Sequence, residues 1–118
     1  MKKPFVSIII VNYNGFHFLK DCLNSILKNR YSEYEIIIAD NGSSDGSVSK
    51  IKTEFKDHLS KIKFLHFKKN LGPSLARNLA VDKSQGEIIA FLDNDTQVDP
   101  QWITKVIPVF CRDSKIGI

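Results

Sequence analysis

A chain of 118 residues that is 42% hydrophobic and 25% charged has the composition of one compact globular domain, which excludes a disordered or fibrous chain. Its formal charge of +4 comes from lysines scattered along the sequence, apart from a modest cluster between Lys50 and Lys69. Nucleic-acid binders are marked by charged patches rather than by totals, so no nucleic-acid partner is expected, and phosphate-bearing small molecules remain compatible with the charge.

Met1-Lys2-Lys3 followed by "PFVSIIIV" begins like a signal peptide, but the apolar run stops at Asn12-Tyr13-Asn14-Gly15 without a small-residue cleavage site. No stretch approaches the roughly 20 apolar residues that span a bilayer. The segment therefore reads as cytoplasmic, with membrane association expected only through segments of a longer protein. Residues 5–11, "FVSIIIV", predict the first strand. Phe18, Leu19, Cys22, Leu23, Ile26 and Leu27 then fall on one face of a predicted helix.

"YEIIIAD" (34–40) predicts a second strand, and Val48, Ile51 and Phe55 a second helix, with "SSDGS" supplying capping residues before it. "IKFLHF" (62–67) predicts a third strand that carries His66. Pro73, after Gly72, suits the first turn of a helix through "SLARNLAVDK". "GEIIAFLD" (86–93) predicts a fourth strand. Trp102, Ile103, Val106 and Ile107 begin a last helix that Pro108 should end or kink, and "SKIGI" at the end of the sequence resembles the start of a fifth strand.

Runs such as Ile8-Ile9-Ile10 and Ile36-Ile37-Ile38 are too continuously apolar for a strand with one wet face. They predict a parallel sheet covered on both sides. Strand and helix alternating with short connections predict an α/β fold, a doubly wound, mostly parallel sheet with helices on both faces. Such sheets bind ligands outside the carboxyl ends of their strands, which directs attention to "NYNG", "DNGSSDGS", "KKNLGPS" and "DNDTQVD".

Asp93 and Asp95 lie two apart at the end of an apolar strand, where unpaired charge is costly. Oxygen ligands so placed suit Mg²⁺ or Mn²⁺, which complete their octahedra with waters and substrate phosphates. An acidic Asp40 at the end of the second strand can accept hydrogen bonds from a ribose or a base edge. The same residues also serve as turn and cap formers, because Asn and Asp side chains bond nearby backbone. Both readings stand at this point. Cys22 and Cys111 are too few for a disulfide framework or a metal quartet, and both sit in helical patterns that bury them. His17, His58 and His66 lack ligand spacing. Phe16, Phe18 and Trp102 fit helix-face packing, whereas Tyr13 stands at a strand end.

"VSIIIVNYNG", "IIIADNGSSDGS", "NLGPSLARNLA" and "GEIIAFLDNDTQVDP", in this order and spacing, resemble the nucleotide-binding part of a family 2 glycosyltransferase of the GT-A, Rossmann-like fold, over residues 1–118. The resemblance implies an inverting transferase that takes a nucleoside-diphosphate sugar, a UDP- or dTDP-sugar, together with Mn²⁺ or Mg²⁺, and delivers the sugar to a saccharide or lipid-linked acceptor in polysaccharide biosynthesis. It sets Val11, Tyr13 and Asn14 beside the nucleotide, Asp40 on the uracil or ribose, and Arg77 toward the base and diphosphate. It also implies that Asp93 lies near ribose and metal, that Asn94 contacts the nucleotide sugar, and that Asp95 binds the metal.

The sequence departs from the family pattern at Thr96, where many members carry a further Asp, and at Ala80, where many carry Gly. The family's general base belongs to an acceptor half, so the resemblance implies that it lies beyond Ile118, that this chain alone lacks full activity, and that surface left bare can drive self-association. Two other functions fit the residues: a metal-dependent phosphoryl or nucleotidyl transferase, and a nucleotide-binding domain without catalysis.

Overall fold

The computed structural model describes residues 3–112, with side chains described through 107. Four strands, β1 (Val6–Asn12), β2 (Tyr34–Asp40), β3 (Ile62–His66) and β4 (Ile88–Asp93), form a parallel sheet in the order β3-β2-β1-β4. The first three strands step outward one way and β4 then pairs on the opposite side of β1. The strand order thus reverses between β1 and β4, where a doubly wound sheet opens its crevice.

Each central strand is apolar on both faces because both faces are covered. Ile8, Ile10, Ile36 and Ile38 pack on one side with Leu19, Cys22, Leu23 and Ile26 of helix α1 (Phe16–Leu27), Ile51 of helix α2 (Ser47–Glu54) and Ile103 of helix α4 (Trp102–Arg112). Ile9, Ile37 and Ala39 meet Ala76 and Ala80 of helix α3 (Pro73–Lys83) on the other. Each fully buried isoleucine contributes roughly 1.5–3 kcal/mol relative to exposure. The small side chains of Ala76 and Ala80, both wholly buried, let α3 lie close to the sheet.

Helix starts follow the expected chemistry, with one addition. Pro73 is the first residue of α3. Asp45 Oδ1 accepts the Ser47 amide at 2.9 Å at the start of α2, and Asp45 Oδ2 accepts the Phe16 amide at 3.2 Å. One carboxylate thus caps two helices.

Differences from the sequence expectations are local. β1 reaches Asn12, β3 ends at His66, and β4 begins at Ile88. Phe18 is 62% exposed rather than packed, because one helical step of about 100° carries it off the stripe centred on its buried neighbour Leu19. Pro108 does not end α4, which continues to Arg112. Proline removes one hydrogen bond and crowds one carbonyl, which a helix with other supports can carry. The expected strand at residues 114–118 lies outside the described residues, as do the side chain of Cys111 and the leader-like start at Met1-Lys2. Cys22 is buried as expected.

Candidate functional site

Parallel register lines up the strand ends. Asn12, Asp40 and His66 occupy one rung across β1, β2 and β3, and Val11 pairs with Asp93 across β1 and β4. Successive side chains alternate faces. The rung of Asn12, Asp40 and His66 therefore lies on the α1 and α2 side of the sheet, and Asp93 on the α3 side.

Asp40 is wholly buried, so its charge needs partners. Oδ1 accepts from Asn12 Nδ2 at 3.0 Å and from Ser43 Oγ at 2.7 Å. Oδ2 accepts the Ser43 amide at 3.0 Å and faces His66 Nε2 at 3.5 Å. The bond to the amide three residues on is the turn-forming role of aspartate. His66, with 57% of its side chain exposed, is the member of this group that reaches solvent.

The loop after β1 is fastened to the loop after β2. Asn14 adopts a left-handed conformation at φ 51°, and its Oδ1 accepts the amides of Ser44 at 2.7 Å and Asp45 at 3.2 Å. The Asn14 amide donates to Ser43 Oγ at 2.8 Å. Burial pushes the Asp45 carboxyl upward, but donation from Ser47 and Phe16 and the Lys50 charge outweigh it and hold the pKa below the usual aspartate value. Asn41 ties this loop to the start of α3, accepting the Leu71 amide at 2.9 Å and donating to the Gly72 carbonyl at 3.2 Å. Gly42, at φ 81°, sits where a Cβ would come within 2.8 Å of the Lys69 backbone.

At the end of β4 the Thr96 amide donates to the Asp93 carbonyl at 3.1 Å, closing a turn with Asn94 and Asp95 at its centre. Asn94 turns inward, its Nδ2 donating to Asn12 Oδ1 at 3.0 Å. Asp93 and Asp95 remain exposed, and Arg77 Nη2 of α3 stands 3.6 Å from Asp93 Oδ1. That ion pair is solvated on both sides and holds little energy, so a ligand can redirect either partner. Tyr13 is 52% exposed at the rim, and Val11 is half-buried behind Asp93.

Among the described residues, no group of three or more His, Cys, Asp or Glu side chains is arranged to hold a metal ion. Two exposed carboxylates on one turn nonetheless fit a cation such as Mg²⁺, which takes one or two protein carboxylates and fills its remaining positions from phosphates and water.

Asn94, Asp40 and Asn14 thus meet in one hydrogen-bonded group, and Arg77 meets Asp93. Asn12, Ser43, Asp45 and His66 are additional members that the motifs did not single out. For Asn12 and His66 the signal was positional, since with Asp40 they end three consecutive apolar strands at what becomes one rung, whereas Ser43 and Asp45 lie in the loop after β2.

The sequence matches the profile of the family described as Glycosyl transferase family 2 over residues 7–118. This chain belongs to that family. Glycosyltransferase AglE of Haloferax volcanii is 36% identical over 104 residues, covering 86% of this chain and 34% of the relative. WfgD of Escherichia coli, a UDP-Glc:alpha-D-GlcNAc-diphosphoundecaprenol beta-1,3-glucosyltransferase, is 40% identical over 95 residues, 80% of this chain and 36% of the relative. The mannosyltransferase PcManGT from Pyrobaculum calidifontis, solved with GDP-Man and Mn²⁺, superposes with a TM-score of 0.86 at 21% identity, over 92% of this chain and 33% of that one. The fold is therefore the α/β GT-A arrangement expected from sequence, and the chain spans about a third of the length of these proteins. Among the described residues, no helix is long and apolar enough to cross a membrane.

Proposed function

We propose that the chain is the donor-nucleotide portion of an inverting glycosyltransferase that uses a UDP- or dTDP-sugar and Mn²⁺ or Mg²⁺ to build a polysaccharide on a glycan or lipid-linked acceptor. The observation that carries this reading is the placement of Asp40 at the end of β2, and of Asp93 and Asp95 at and just beyond the end of β4, on the two sides of β1 at the reversal point of the sheet. It is supported by family membership and by WfgD, a relative whose name specifies a UDP-sugar donor.

In this reading Tyr13 and Val11 border the nucleoside, Asn14 fixes the loop beneath it, and Asp40 accepts from the base or ribose once the exposed His66 turns aside. Arg77 exchanges its solvated contact with Asp93 for the diphosphate. Asp95, with Asp93, would hold the divalent ion. Bound there, the ion supplies Lewis-acid stabilisation to the departing nucleoside diphosphate. Inversion also requires a base on the acceptor hydroxyl, and the reading assigns that group and the acceptor site to the remaining two thirds of such a transferase. A cytoplasmic location, and self-association through the β4 edge where Phe91 is 43% exposed, belong to the same proposal. A sedimentation coefficient that rises with concentration is expected for the latter.

Thermal unfolding with UDP, GDP, CDP and dTDP, each with Mn²⁺, Mg²⁺ or EDTA, tests the donor assignment. A nucleotide at about 100 times its Kd adds about 2.7 kcal/mol, several degrees for a domain of this size. A metal-dependent rise with UDP or dTDP is expected. Equal midpoints under all conditions would remove the assignment.

A further inference from the structure

The two ends of the proposed nucleotide site are joined by a single side chain. Asn12 is wholly buried. Its Nδ2 donates to Asp40 Oδ1 at 3.0 Å, and its Oδ1 accepts from Asn94 Nδ2 at 3.0 Å. One planar amide therefore contacts both the buried acid on β2 and the middle residue of the Asp93-Asn94-Asp95 turn. Amide polarity fixes the sense of the bridge, because the carboxylate must take the nitrogen and the oxygen is left for Asn94.

A second observation shows that the bridge needs room made for it. A Cβ on Gly15 would lie 2.3 Å from Asn94 Nδ2 and 3.0 Å from Asn12 Oδ1. Gly15 has a negative φ of −119°, which any residue can adopt, so backbone conformation does not account for glycine here. The space occupied by the Asn94 amide does.

We propose that Asn12 is a positioning residue that couples the nucleoside end of the site to its metal and diphosphate end. It holds Asn94 inward so that Asp93 and Asp95, on either side, face outward together for the metal. The inference rests on the donor-nucleotide reading above. It assigns Asn94's amide to the protein interior rather than to the sugar nucleotide. Because coupling is reciprocal, a ligand that steadies Asp40 also steadies the turn, and metal-dependent tightening of a nucleoside diphosphate passes through the Asn12 amide.

Calorimetric titration of the chain with uridine, and with UDP in EDTA and in Mn²⁺, tests this directly. In the unmodified chain Mn²⁺ raises UDP affinity by about tenfold or more. Gly15→Ala, which dislodges Asn94 without touching Asp40, is expected to abolish most of that enhancement while uridine affinity stays within about threefold. Asn12→Leu is expected to lose the enhancement and weaken uridine as well. Asn94→Ala should match Gly15→Ala, and the double variant should lose no more than Asn94→Ala alone, since both act through one hydrogen bond.

A full Mn²⁺ enhancement in Gly15→Ala, or losses that add in the double variant, would overturn the coupling while leaving the donor-nucleotide reading intact. Absence of UDP binding by the unmodified chain with Mn²⁺ would overturn both.

Discussion

Asn12 and Asp40 face each other on adjacent parallel strands, both without solvent exposure, with the asparagine amide donating to the carboxylate over 3.0 Å. A buried carboxylate survives only where donors replace its water, and here Asn12 and Ser43 do so. The ends of β1 and β2 are therefore tied together by hydrogen bonds of the chain's own side chains. Asp93 and Asp95, by contrast, remain exposed.

Asn14 tests the rigidity of the loops. Its left-handed backbone and its acceptor oxygen both hold the segment after β2. Asn14→Ala should lower unfolding free energy by about 1–3 kcal/mol through the lost acceptor and the strained φ. Asn14→Gly should cost less, since glycine relieves the strain. Urea unfolding of the two variants gives the order.

At the opposite end of the sheet, Glu35 is buried on β2, with Oε2 accepting from Ser7 Oγ at 2.6 Å and the Gln85 amide at 2.8 Å, and Lys63 Nζ 2.8 Å from Oε1. Burial raises its pKa, but the Lys63, Ser7 and Gln85 bonds and the Lys63 charge outweigh burial, and the carboxyl ends below its ordinary value. A depressed carboxyl stabilises the fold above its unfolded pKa of about 4.3, and that stability is lost as pH falls through the folded pKa. Unfolding free energies between pH 7 and pH 3 should therefore fall more steeply for the parent chain than for Glu35→Gln.

Cys22 lies in the core of α1 with its thiol pushed up to about 12, chiefly by burial and further by the Asp95 charge. At pH 8 only about one thiol in 10⁴ is then ionised. In a Cys111→Ser background, iodoacetamide should leave the folded chain unmodified and label it rapidly in urea, with mass spectrometry as the readout.

Ala80 explains how α3 approaches the sheet. It is wholly buried against Ile9 and Ile37, at a position where glycine also suits such a contact. Ala80→Leu should destabilise by about 1–3 kcal/mol through overpacking, measured as a lower urea midpoint.

Much of this was legible in the residues. Triple isoleucines in β1 and β2 announced a sheet covered on both faces, and Pro73 marked the start of α3 to the residue. Phe18 was misplaced because an apolar residue beside a helical stripe reads like part of it, and only packing shows where the stripe ends. Pro108 was read as ending or kinking α4 because local chemistry alone disfavours it inside a helix, and the helix runs on to Arg112.

The family resemblance selected residues by motif, which favours the acids and overlooks the amide between them. Asn12 and His66 acquire meaning only when parallel register sets them on the rung of Asp40. No local pattern in a single strand carries that information.

In the donor-nucleotide reading, the Asp93-Asn94-Asp95 turn holds a divalent ion against a nucleoside diphosphate. Electron paramagnetic resonance of Mn²⁺ titrated with the chain measures this most directly, because bound ion loses the six-line signal of free Mn²⁺. A weak loss of signal is expected with protein alone, a strong loss when UDP is added, and no UDP-dependent loss beyond that of free UDP in Asp95→Ala. An identical signal from the parent chain and Asp95→Ala, with UDP present, would contradict it.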